Sequence, residues 1–321
     1  MKLQTALLLL LISFTTYAQK FQVVDAETKT PVSFATISFG DGRGTFAGED
    51  GIFDFPKAKY ADIDSLHISA IGFKEVGFST NDIPEIITLQ PEASQLSEVI
   101  VTAPKRGKYK TKKKKSITHE DIHTSWLPTV ESEVAVLFNR YEGKSTRIAK
   151  LMLPINAETQ YKSRGKGKFA TIFRIQFYEN DSGLPGKPVI HEKIIFAINQ
   201  DAEKVFELNI QSKQIFIPEG GIFASLQVLG YADDKNKLIQ SKKYREVPTK
   251  RGVKKISTAF RPLLPFTNEL SNQKTYVRRI FLNNKKWQVF DKTYNENSNL
   301  ILSGSRNYGM GATFHVFEEK E

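Results

Sequence analysis

Two histidines four residues apart, with a glutamate directly after the first, make up the string HEDIH at residues 119–123. On a helix that spacing turns both imidazoles to one face, where they can hold zinc while the glutamate activates the zinc-bound water. His119, His123 and Glu120 are therefore the residues whose types and order could do hydrolytic metal chemistry. The surrounding sequence lacks the elements needed to position them. Upstream, KTKKKKSIT is a charge run that cannot pack as a buried helix, and downstream Pro128 stops any helix within about two turns of its start. A third ligand is also wanting, because no His or Gly follows at metzincin spacing and Glu131 and Glu133 lie past the proline. Thr118 and Asp121 read instead as a capping pair for a short helical or turn segment that exposes both histidines. The expectation is a chain with no catalytic residues and no cofactor, in which His119, His123 and Glu120 are the metal-ligand candidates.

Other reactive types are scattered. His67 alternates with apolar residues, His191 precedes an apolar run and His315 stands beside Phe314. No serine lies in a nucleophile-elbow context, and the glycines of GRGTFAG and SRGKGKF lack the strand-to-helix setting that cradles phosphate. Aromatic side chains offer a different chemistry, stacking on sugar rings, for which Trp287, Trp126 and Tyr178 are candidates.

The elements that must carry these residues are β-strands. The chain has 321 residues, 40% hydrophobic and 11% aromatic, with 23 Phe, 3 Met and no Cys. That is enough for two domains with packed cores and no disulfides. MKLQTALLLLLISFTTYAQ has the charge, short apolar run and small residues of a secretory signal peptide, cut after Ala18. The run is too short to span a bilayer, and no later stretch is long and apolar enough. The formal charge of +11 concentrates between Lys105 and Lys115, where eight basic residues stand with no acidic one. Residues 104–118 therefore read as a solvated basic linker, or as an electrostatic contact for anionic lipid head groups or an acidic partner. Nucleic acid is not expected as a partner of an exported chain.

Before this block, runs at Phe21–Val24, Val32–Phe39, Ser65–Ile71, Glu75–Phe78, Ile86–Leu89 and Glu98–Thr102 are separated by turn signals. Asp50-Gly51, between Thr45-Phe46 and Ile52-Phe53-Asp54-Phe55, predicts a hairpin. The spacing is that of a small β-sandwich. VVDAETKTPVSFATISF, GTFAGEDGIFDF, LHISAIGF, ITLQP and LSEVIVTA, in that order, resemble the carboxypeptidase regulatory-like domain, a transthyretin-like (prealbumin-like) β-sandwich. The resemblance covers residues 21–103, about a quarter of the chain, places a domain at 19–103 and implies a non-catalytic module. The same domain opens many TonB-dependent receptors, but too few residues follow Ala103 for a plug and a large barrel.

Residues 119–321 read as a larger, jelly-roll-like β-sandwich. In FATIFRIQF, Phe169, Thr171, Phe173, Ile175 and Phe177 share one face, leaving Arg174 and Gln176 for solvent or a partner. Further strands are expected at 194–198, 205–210, 215–217, 222–229, 276–282, 286–290, 300–303 and 312–317, with no helical period of any length. FRIQFYENDSGLPGKPVIHEKIIF followed by FELNIQSKQIFIPEGGIFASLQVLG is similar to a β-sandwich that accompanies the regulatory-like domain in other exported Gram-negative proteins. The reading as a whole is an exported, all-β interaction or structural protein with an envelope protein as partner. Its place is the periplasm or the periplasmic face of the outer membrane. Glycan binding by the second sandwich is the alternative, and zinc hydrolysis the remaining one.

Overall fold

The computed structural model describes residues 19–92, 107–158, 169–189 and 193–318, apart from 234, 236, 240–243, 250–251, 258, 271 and 283–284. Residues 1–18, expected as a signal peptide, and LSEVIVTA lie outside the described residues. The protein is all-β. Among the described residues, helix is limited to Asn299–Leu302 and single turns of 3-10 geometry.

The first unit has two sheets. Ile52–Asp54, Lys20–Asp25 and Ile86–Leu89 form one, in that order, with the last pair parallel. Gly44–Phe46, Thr36–Ser38, Ser65–Ser69 and Val76–Ser79 form the other. Alternation supplies the core between them: Phe21, Val23, Ile37, Phe53, Leu66, Ile68 and Ile87 point inward, and Phe21 and Phe53 stack at 5.4 Å. The expected hairpin about Asp50-Gly51 is not formed. Gly44–Phe46 pairs with Thr36–Ser38 while Ile52–Asp54 pairs with Lys20–Asp25, so the intervening turn passes the chain from one sheet to the other. The turn chemistry is nevertheless as read, since Gly51 holds φ +73° and a Cβ there would stand 2.5 Å from the Val23 carbonyl oxygen. Gly51→Ala is expected to cost about 1–2 kcal/mol, measured as a shift in the urea midpoint at unchanged m-value.

The second unit packs an eight-stranded sheet against a five-stranded one. The first runs Leu184–Pro188, Ala170–Asp181, Ile222–Ala232, Ser132–Phe138, Thr275–Arg279 and Gln288–Val289, with Ile194–Asn199 beside Ala170–Asp181 and Leu238–Ile239 beside Ile222–Ala232. The second runs Val205–Asn209, Thr146–Pro154, Gly311–Phe317 and Tyr109–Lys114, with Ile215–Phe216 beside Thr146–Pro154. Val134, Phe138, Phe173, Ile175, Phe177 and Leu226 from one sheet meet Ile148, Leu151, Leu153, Phe314 and Val316 from the other. Phe138 and Phe314 meet edge-on across the gap at 6.0 Å. A small sheet of Ser125–Trp126, Leu264–Thr267 and Asn307–Tyr308 closes one end, and the buried Tyr308 hydroxyl donates to the Pro154 carbonyl at 3.0 Å.

Two expectations change here. The described part of the basic stretch, 107–118, is not a free linker: Tyr109–Lys114 is an edge strand in register with Gly311–Phe317, with Thr111 opposite His315 and Lys113 opposite Thr313. Its charges are compatible with a strand because lysine stems lie along apolar surface. The Lys112 ammonium sits 5.1 Å from the Tyr141 ring centre and that of Lys114 sits 4.9 Å from that of Phe138. The second unit therefore begins before residue 119. The run 300–303, expected as a strand, forms the one-turn helix Asn299–Leu302, which buries the adjacent Leu300 and Ile301 together.

The units are not beads on a string. Gly42 N donates to Phe281 O (3.1 Å), the Ser38 hydroxyl donates to the same oxygen (2.8 Å), and Asp41 bridges to Leu282. Phe34 and Phe46 belong to the core of the larger unit, with Phe46 5.5 Å from Phe281. Lys193 donates to the Ser33 carbonyl, and Lys285 pairs with Glu75 at 2.5 Å.

Candidate functional site

HEDIH lies on a turn. Residues 119–121 have no regular structure and a bend and turn follow at 122–124, so the two histidines do not share a helical face. Asp121 organises this turn: its carboxylate accepts from the His123 amide (2.9 Å) and the Thr124 hydroxyl (2.9 Å). These hydrogen bonds, the His123 amide first, hold the Asp121 carboxyl below its ordinary value. His119 Nε2 bonds the Phe266 carbonyl at 2.6 Å, Glu120 pairs with Lys204 at 2.7 Å, and His123 is exposed. His119, Glu120, Asn156 and Lys204 line a cleft of about 100 Å³. Among the described residues, no three His, Asp or Glu side chains come together in a way that could hold a metal ion. The string thus ties the start of the second unit to the small end sheet. His119→Ala is expected to cost roughly 1 kcal/mol through the lost bond to Phe266, whereas Glu120→Gln leaves the thermal midpoint in place; a scanning calorimeter separates the two.

The densest polar chemistry stands elsewhere, on the outer face of the eight-stranded sheet. Register sets Arg278 opposite Glu133, Glu133 opposite Gln227 and Gln227 opposite Arg174, a single row across four strands. All four alternate with core residues, so the pleat turns them outward together. Glu133, 2% exposed, accepts from the Ser225 hydroxyl (2.5 Å), the Tyr178 hydroxyl (2.9 Å) and Arg278 Nε (2.8 Å), while Arg278 Nη2 stands 2.7 Å from the same carboxylate and donates to the Tyr178 hydroxyl at 2.7 Å. Burial works to raise the Glu133 carboxyl, but the Arg278 charge, the Ser225 hydroxyl and the Arg174 charge overcome it and hold the group below its ordinary value. Burial, against the pull of Arg278, lifts the Tyr178 phenol well above its usual range. At the far end of the row Arg174 bonds Gln227 and the Phe34 carbonyl (3.5 Å) and lies over the Phe46 ring. Of the two residues expected to face solvent or a partner, Arg174 is covered by the first unit of the same chain. Both oxygens of Glu133 are engaged, and the row is buried at Glu133, Gln227 and Arg174 and half-buried at Arg278, so it ties four strands of the sheet together and, through Arg174, meets the first unit.

Sequence reasoning missed this row. Glu133 was weighed only as a ligand for HEDIH; the signal was its place at period two in SEVAVLF, with Arg278 at the matching place in TYVRR. Of the stacking candidates, Tyr178 and Trp287 fall here and Trp126 lies in the small end sheet; all three rings are in contact with other side chains. Tyr178 is 2% exposed, Trp287 packs edge-on against it at 5.6 Å with Arg278 4.5 Å from its ring centre, and Trp126 packs against Phe266 and Phe290. The three rings do not form an exposed platform for a sugar; each is spent on packing.

The basic edge is the charged feature that remains open. Tyr109, Lys110, Thr111 and Lys113 are exposed on Tyr109–Lys114, with Lys108 before and Lys115 after them. Lys110 meets Glu318 at 2.9 Å, a contact that raises the lysine and lowers the carboxylate. Lys114 is half-buried, donates to Gln273 at 2.6 Å, and is pushed down by burial to about 8. On the opposite face of the strand, Tyr109 stacks on the buried His315 at 4.0 Å, and Arg147 donates to His315 Nδ1 at 2.7 Å. Burial and then the Arg147 charge keep that imidazole below its ordinary value.

No family model matches the chain, and no curated protein matches it. Among solved structures, it is similar to the cysteine protease and lectin-like domains of Cwp84, a surface layer associated protein of Clostridium difficile, at 12% identity and a TM-score of 0.31. The match covers 58% of this chain and 32% of that one, so the chain spans about a third of that protein. A likeness this loose carries no argument about chemistry.

Proposed function

We propose that the chain is an exported, non-catalytic interaction or structural protein of the cell envelope, working in the periplasm or at the periplasmic face of the outer membrane. In this reading the first unit is a carboxypeptidase regulatory-like, transthyretin-like sandwich fixed to a jelly-roll-like sandwich. The observation that supports it is the contrast between an interior whose ionisable groups are spent on one another and a lysine-bearing sheet edge open to a partner. Glycan binding loses support with the packing of Trp126, Trp287 and Tyr178. Zinc hydrolysis loses it with the turn at HEDIH. The test is expression of the full chain in a Gram-negative host, with fractionation and amino-terminal sequencing. A mature protein beginning at Gln19 in the envelope fraction supports the reading, and recovery in the cytoplasm with residues 1–18 retained overturns it.

A further inference from the structure

The lysine-bearing edge has main-chain groups to offer as well as charge. In an antiparallel pair, residues alternate between those that exchange hydrogen bonds with the neighbour and those that turn the other way. Glu318 N donates to Lys108 O at 3.2 Å, and Phe317 N donates to Ser145 O on the other side of Gly311–Phe317. Lys110, Lys112 and Lys114 therefore face the sheet with their main chain. The amides and carbonyls of Tyr109, Thr111 and Lys113 point away from it, and among the described residues no strand pairs with that edge.

The charges select what can add there. Lysines on an edge strand disfavour an apolar strand, against which their charges would be desolvated, and repel a second copy of the same edge. Here they lie on both faces, with Lys113 on one and Lys110 and Lys112 on the other, and among the described residues the one ion pair made by the strand is Lys110 with Glu318. A strand that is itself acidic satisfies both the charges and the open main chain. Tyr109, 44% exposed and braced by its stacking on His315, offers a firm surface for a side chain of the added strand.

We propose that the Tyr109–Lys114 edge binds an extended acidic polypeptide segment by β-augmentation. The proposal rests on the interaction reading above and names the partner for it. An anionic membrane would use the lysines but leave the main chain of Tyr109, Thr111 and Lys113 unused.

Full-length protein is titrated into a labelled heptapeptide of alternating Glu and Val, the same peptide N-methylated at every second residue, and phosphatidylglycerol vesicles. The expected result is salt-sensitive binding of the first peptide and about tenfold or greater weakening by N-methylation. Thr111→Pro removes one outward amide and no ladder bond, so it is expected to weaken binding as N-methylation does; Lys113→Glu weakens it through charge alone. Equal binding of both peptides, or binding to vesicles but not to the peptide, overturns the proposal. Chemical crosslinking in envelope extracts separates the two levels. A partner retained by a folded Thr111→Pro protein leaves the interaction reading standing and removes the edge mode, and no partner for the parent protein removes both.

Discussion

Glu133→Gln is expected to destabilise the protein by about 3–5 kcal/mol, the usual effect of removing one member of a buried ion pair. The substitution keeps the side chain's shape and leaves the buried Arg174 and the half-buried Arg278 without their counter-charge. For a unit of this size that corresponds to a fall in Tm of roughly 10 °C. Glu133→Gln combined with Arg278→Gln is expected to recover part of the loss, because the Arg278 charge is then gone while Arg174 keeps its bonds to Gln227 and the Phe34 carbonyl; a double-mutant cycle by urea unfolding measures the coupling. An equal or larger loss in the double variant would mean the row acts through shape and not charge. The same group fixes a pH window. Its ordinary pKa is 4.5 and the folded state lowers it, so its contribution is fully present above that value and is lost as pH falls through the lowered one. The parent protein should therefore lose stability on acidification below about pH 4.5 more steeply than Glu133→Gln, which has no proton to take up there.

Phe281→Ala is expected to cost about 3–5 kcal/mol and, more tellingly, to split one unfolding transition into two. Phe281 is fully buried, and its ring is the contact of the larger core with Phe46. Its main-chain oxygen, which accepts from Gly42 and Ser38, stays in place in the variant, so the experiment isolates the ring. Gly44 probes the same contact from the other side, since a Cβ there would stand 2.4 Å from Phe281 Cδ1 and from the Ile37 carbonyl oxygen. Gly44→Val should push the units apart much as Phe281→Ala lets them separate. A single calorimetric transition in both variants would show that the two units are held together without this ring.

Much of the β architecture was legible. Ile86–Leu89 and Ile215 with Phe216 fall where apolar alternation put them, and Gly51 carries the positive φ that its place after Asp50 called for. Ser132–Phe138 and Thr146–Pro154, both central, were not read. Each carries charges at positions that open solvent would satisfy, Glu133 and Arg147, and only tertiary pairing with Arg278 and Gln214 makes them fit a buried strand. Tyr109–Lys114 hid for a related reason: local charge argues for a linker, and a neighbour two hundred residues away supplies the pairing. Of the site candidates, His119, Glu120 and His123 were recognised by type and spacing. Spacing means little without a helix, and the turn set by Asp121 withholds one. Trp126, Trp287 and Tyr178 show the complementary limit, because an aromatic residue in a strand sequence does not disclose which face it will occupy.

The order Thr146–Pro154, Gly311–Phe317, Tyr109–Lys114 places a late segment between two early ones. Until residues 311–317 exist, the five-stranded sheet is divided, and Ile148, Leu151 and Lys114 have no neighbour on that side. Closure therefore waits on synthesis, and its long sequence separation makes it slow once synthesis is done. For a chain proposed to cross a membrane before it folds, that delay is useful: the polypeptide stays threadable during the interval in which a translocase must engage it.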